Sequence, residues 1–117
     1  NCLHHADVVA NTFSSVSVEA SVFLKPNVNI FFDGYQTVPF ERSIRRGRDF
    51  PNFQHVEKTG GILTANSAAE LIETINACFR NPELNRKNVE VLRERMTFRA
   101  DGQASARIAE QIIGCLS

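Results

Sequence analysis

Asp7-Val-Val-Ala-Asn-Thr-Phe-Ser-Ser-Val-Ser-Val-Glu-Ala-Ser-Val-Phe-Leu-Lys-Pro-Asn-Val-Asn-Ile-Phe-Phe32 changes its hydrophobic period twice. Residues 7–11 form a short apolar run with two β-branched side chains and end at a turn-forming Asn, which reads as a buried strand. Residues 12–15 then supply good N-cap types. Val16, Ala20, Phe23 and Leu24 follow at near-helical spacing, so a helix is predicted over 15–24. Lys25-Pro26 ends it, because proline biases the residue before it away from helical backbone. Residues 27–32 make a second strand-like run. Strand, helix and strand in so short a span is a βαβ unit, which implies a parallel sheet with a right-handed crossover.

Downstream, residues 33–61 show no clear periodicity, although a short helical turn is allowed over 39–44. Unstructured connections of this length are uncommon inside domains and tend to be functional or mobile. Residues 62–64 read as a third short strand. Ser67-Ala-Ala-Glu70 matches a capping box, and Leu71, Ile72, Ile75 and Phe79 mark one face of the helix behind it. Asn81-Pro82 stops that helix. Val89, Leu92 and Met96 give a weaker helix from about residue 85, and Ala104, Ile108, Ile112 and Ile113 a last one after the Asp101-Gly102 break. The order predicts an α/β fold: a short parallel sheet flanked by helices.

Thirteen basic residues balance thirteen acidic ones among 117, which removes any electrostatic reason for binding nucleic acid generally. No apolar run is long enough for a bilayer and no signal-peptide pattern opens the chain, so the expected compartment is the cytoplasm. The chain opens at Asn1 in what reads as the end of an element, and is therefore expected to be a piece of a larger protein. Three cysteines at wide spacing, Cys2, Cys78 and Cys115, match neither a metal site nor a disulfide framework. His4, His5 and His55 lack a ligand-type spacing, so neither a metal nor a cofactor is expected.

Two constellations could carry chemistry. In residues 11–19 a strand's carboxyl end meets a helix N-terminus, the place where open α/β sheets bind ligands. Free amides there favour an anion, and the hydroxyls of Ser14 and Ser15 would add donors suited to a phosphate. The competing reading makes these serines helix caps only. Glu19, a turn into the helix, could reach a ribose hydroxyl or merely complement the dipole. The second constellation is the basic loop 40–49, in which Arg45 and Arg46 are candidate phosphate contacts.

Taken in order, Ala6-Asp7-Val-Val, Phe13-Ser-Ser-Val, and Lys25-Pro-Asn-Val-Asn-Ile-Phe-Phe-Asp33 resemble the donor-binding C-terminal lobe of GT-B glycosyltransferases. The likeness is greatest to the CDP-glycerol glycerophosphotransferase-like members. It continues through Arg46-Gly47, Thr59-Gly60-Gly61 and Ala69-Glu70-Leu71-Ile72 to Asp101-Gly102-Gln103-Ala104-Ser105 and Arg107-Ile108. The resemblance implies a partial Rossmann-like lobe of a cytoplasmic transferase of cell-surface polysaccharide biosynthesis. The donor phosphates would lie on Ser14, Ser15 and Val16 and the ribose on Glu19. The family usually carries Thr-Asp-Tyr where this chain has Asn11-Thr12-Phe13, so a nucleotide-activated sugar is as well supported as a nucleotide-activated polyol. The resemblance also implies an N-terminal acceptor lobe elsewhere in the same protein, which would supply the catalytic base, and a peripheral membrane association of the whole. A nucleotide-sugar 2-epimerase shares the architecture, and a non-catalytic association module is the reading from another class. A homodimer through open sheet edges is compatible with each.

Overall fold

The computed structural model describes residues 1–117. Three strands, β1 (Val9–Asn11), β2 (Asn27–Ile30) and β3 (Leu63–Ala65), form one all-parallel sheet in the order β1-β2-β3. Val9 stands opposite Asn27, and Val28 opposite Leu63. Six α-helices accompany it: α1 (Cys2–His5), α2 (Val16–Val22), α3 (Pro51–Glu57), α4 (Ala68–Arg80), α5 (Arg86–Met96) and α6 (Ala104–Leu116). The chain is thus α/β, with a short parallel sheet between helices.

Side-chain alternation on β2 sorts the two faces. Val28 points to α4 and is sealed there with Ala65 and Cys78, backed by Leu71 and Ile75. On the opposite face Asn27 and Asn29 lie buried beside α2, whose Ser17, Ala20 and Ser21 are also buried. Small side chains at that i, i+3, i+4 spacing let the helix approach the sheet closely. Beyond them Phe53, Val56, Ile62 and Leu92 form the larger cluster, with Phe13 and Val18 against it. Gly61 is needed for this contact, since a Cβ there would stand 2.5 Å from Leu92 Cβ and 2.8 Å from the Asn88 carbonyl oxygen.

The helix predicted over 15–24 is shorter than expected. Leu24 takes φ 54°, and the Lys25 amide donates to the Ala20 carbonyl at 3.1 Å, a left-handed cap that closes α2 before the proline acts. The connection 33–61 departs further from expectation. It holds 3-10 turns at Phe40–Arg42 and Ile44–Asp49, and then the helix α3. Pro51 stands at the start of α3, where its missing N–H costs nothing, and only Phe53 and Val56 are buried on it. Two apolar positions are too few to register as a period. No helix is long and apolar enough to cross a membrane.

Candidate functional site

The carboxyl ends of the three strands deliver Asn11, Phe31 and Asn66 to one edge of the sheet. The turn after β1 is the most constrained. Phe13 sits at φ 45°, in the left-handed region that costs an L-residue about 1–2 kcal/mol. Its amide donates to Asn29 Oδ1 at 2.9 Å, and its ring meets Phe53 and Phe31 edge-on at centroid distances of 4.4 and 5.6 Å. Gly47 closes over the ring so tightly that any Cβ there would fall inside it. Phe13 is therefore the pin that fastens the turn to the sheet, to α3 and to the basic loop.

Ser14 and Ser15 emerge from this pinned turn, both exposed. Their backbone amides donate to nothing within the chain. Ser14 Oγ accepts from the Val16 amide at 3.2 Å, so Ser14 performs the capping, although the helix's N-cap position is Ser15. The Ser15 hydroxyl instead donates to Glu19 Oε1 at 3.3 Å. Ser14, Ser15, Val16 and Glu19 thus converge on one small patch with two unbonded amides and two hydroxyls.

A buried polar layer supports the patch. Ser17 Oγ donates to Asn11 Oδ1 at 3.2 Å, and Asn11 Nδ2 donates to Asn27 Oδ1 at 3.2 Å. The Nδ2 groups of Asn27 and Asn29 are buried and donate to no protein atom. Each such orphan costs about 1–3 kcal/mol, so this layer is held for geometry at the expense of stability. Sequence reasoning missed it. The available signal was an amide side chain on either side of Val28 within an otherwise apolar strand.

The basic loop is anchored by Asp33, just past β2. Its carboxylate accepts from Ser43 Oγ at 2.6 Å and from the Ile44 amide at 2.7 Å, with Arg45 Nε 3.6 Å away. The Ser43 hydroxyl, the Ile44 amide and the Arg45 charge together hold Asp33 below the usual carboxylate range. A cleft of about 300 Å³ opens beside it, lined by Phe31, Phe32, Asp33, Arg45 and Asn66 among others. Arg45 is fastened through Nε to Ser43 Oγ at 3.0 Å and keeps its two terminal nitrogens unbonded. Arg46 lies apart, donating through Nη1 to the Glu41 carbonyl at 2.7 Å. Arg48 stacks over Phe31 at 4.2 Å and pairs with Glu57 at 2.9 Å, which commits it to holding the loop. The serine patch lies beyond β1 and the Arg45 cleft beyond β2 and β3, on the same edge of the sheet. No hydrogen bond or ion pair joins them.

Elsewhere the chemistry is sparse. No group of three or more His, Cys, Asp or Glu is arranged to hold a metal ion. Burial pushes the Cys78 thiol above its ordinary value, which keeps it protonated and inert. At α4 the N-terminus is self-satisfied: Ser67 Oγ accepts from the Glu70 amide, and Glu70 Oε2 accepts from the Asn66 amide at 2.7 Å.

Comparison with family models, with curated proteins and with solved structures returns no match.

Proposed function

We propose that this chain is the donor-nucleotide-binding part of a GT-B type transferase, acting on a nucleotide-activated sugar or polyol. The observation that carries the reading is the turn after β1. Two unbonded amides and two hydroxyls, at Ser14 and Ser15, are presented at the carboxyl edge of a parallel sheet by a strained residue locked from three sides. Strain retained at such a cost is characteristic of ligand clamps. The patch would hold the diphosphate through Ser14, Ser15 and the Val16 end of α2, with Glu19 placed for a ribose hydroxyl. Arg45 would add charge from the neighbouring cleft. These groups would stabilise a leaving diphosphate electrostatically and need no metal. The acid–base group would come from outside these residues.

The test is a backbone-amide NMR titration with CDP, UDP and GDP on the wild type and on Ser15→Ala. Ser15 makes no capping bond, so its alanine variant keeps stability within about 0.5 kcal/mol and isolates binding from folding. Shifts confined to residues 13–19 that vanish in the variant support the proposal. Absence of shifts at millimolar ligand, both here and in any longer form of the protein, sinks it.

A further inference from the structure

Helix α3 sorts its polar residues by flank. Phe53 and Val56 face the core. On one side of them Gln54 Nε2 donates to the Arg48 carbonyl at 3.2 Å and Glu57 pairs with Arg48 at 2.9 Å, so the acid of this helix is already spent. On the other side Asn52, His55 and Lys58 recur at three-residue spacing and line a cleft of about 470 Å³, closed from α5 by Arg95 and Met96. We propose that this cleft between α3 and α5 is a second anion site, which takes the phosphomonoester or diphosphate group of a small molecule.

Three observations select that ligand. The first is charge without a partner. No carboxylate lines the cleft. The ion pairs of the chain employ Arg45, Arg48, Arg86 and Arg107, and neither Lys58 nor Arg95 enters one. The second is donor chemistry. Arg95 offers a planar fork and Lys58 a compact point charge, the two forms in which proteins hold phosphate, while His55 and Asn52 add N–H donors. Two fixed positive charges over one opening balance a dianion, whereas a monocarboxylate would leave one of them unmatched. The third is the frame. Leu92 of α5 packs with Phe53 and Val56 in one buried cluster, so both walls are held by the core, and the volume lies within the roughly 300–1,000 Å³ of small-molecule sites. A simpler role exists for two of the cations: Lys58 caps α3 and Arg95 lies in the last turn of α5, where each complements a helix dipole. That role does not call for Asn52, at the opposite end of α3, to line the same cleft. None of the five residues belongs to the serine patch or to the Arg45 cleft.

Amide and arginine side-chain NMR of the full chain, titrated with pyrophosphate, inorganic phosphate and acetate at constant ionic strength, tests this directly. Saturable shifts at residues 52–58 and 95–96 are expected, with a Kd below about 5 mM for pyrophosphate, weaker binding of phosphate and none of acetate. Lys58→Gln and Arg95→Gln change exposed side chains, so both variants keep the fold, which circular dichroism checks. Each should raise the pyrophosphate Kd at least about 5-fold. Lys87→Gln removes an exposed cation of α5 that does not line the cleft, and should leave the Kd within about 2-fold. Failure to saturate below about 5 mM, equal binding of acetate, or an equal loss in Lys87→Gln overturns the proposal and leaves the cations as dipole partners or diffuse surface charge. The result is separable from that of the nucleotide titration: Ser15→Ala should leave the cleft shifts intact, and Lys58→Gln should leave those at residues 13–19 intact.

Discussion

Phe13 allows a comparison in which the usual order of two substitutions reverses. Truncating a fully buried Phe to Ala costs about 3–5 kcal/mol. Phe13 is half-buried, which brings that to about 2 kcal/mol, and its edge-on pairs with Phe53 and Phe31 add about 0.5–1.5 kcal/mol each. Phe13→Ala should therefore cost about 3–5 kcal/mol. At most positions glycine would be worse still by about 0.5–1 kcal/mol, through the entropy of the unfolded chain. Here φ is 45°, a backbone that penalises Ala by about 1–2 kcal/mol and glycine hardly at all. Phe13→Gly should therefore be the more stable of the two, by about 0.5–1 kcal/mol. Urea unfolding monitored by circular dichroism resolves both numbers, because a loss of about 3–5 kcal/mol moves the midpoint by about 1.5–2.5 M. An alanine variant at least as stable as the glycine variant would refute the left-handed conformation. A cost below about 1 kcal/mol for Phe13→Ala would refute the pin.

Two further outcomes follow from the same neighbourhood. Gly47→Ala places a methyl group inside the Phe13 ring and should cost about 2 kcal/mol or more, as overpacking does; combining it with Phe13→Ala should recover at least about 1 kcal/mol relative to the sum, measured by a double-mutant cycle in urea, and strict additivity would show that the two do not touch. Asp33 has its folded pKa lowered by the Ser43 hydroxyl, the Ile44 amide and Arg45, so its stabilising contribution is complete above its unfolded pKa of 3.8 and drains away as pH falls below that value towards the folded one. The stability gap between wild type and Asp33→Asn should therefore be constant above about pH 5 and shrink on further acidification, and urea midpoints that fall in parallel for both proteins would count against the Asp33 anchor.

The sheet was legible because its signals are local. Two strand-like runs separated by one short helix force a parallel crossover, and the Ser67 and Glu70 spacing announces α4 by a capping bond that depends on four consecutive residues. Helix α3 was not legible for the opposite reason. Its burial rests on Phe53 and Val56 alone, and its start signal, Pro51, is the same residue type that elsewhere marks a loop. The early end of α2 was hidden too, because a left-handed Leu24 has no sequence signature; glycine or asparagine would have announced it.

The candidate site divides along the same line. Ser15 and Glu19 are four residues apart, so helical geometry alone brings them together, and they do meet, while Ser14 caps the Val16 amide beside them. Arg45 and Arg46 were singled out by charge, which says nothing about direction: one lines the cleft beside Asp33 and the other is spent on the Glu41 carbonyl. What the residues could not announce is the support beneath the serines. Asn29 holds the Phe13 amide across 16 positions of sequence, and Gly47 reaches the same ring across 34. The first follows from the pairing of β1 with β2, and the second from the basic loop folding back over the strand ends, which Asp33 anchors. Asn11 and Phe13 are therefore scaffolding. The Phe13 ring is committed to Phe31, Phe53 and Gly47, so recognition beside this turn falls to the exposed serines that it positions rather than to Phe13 itself.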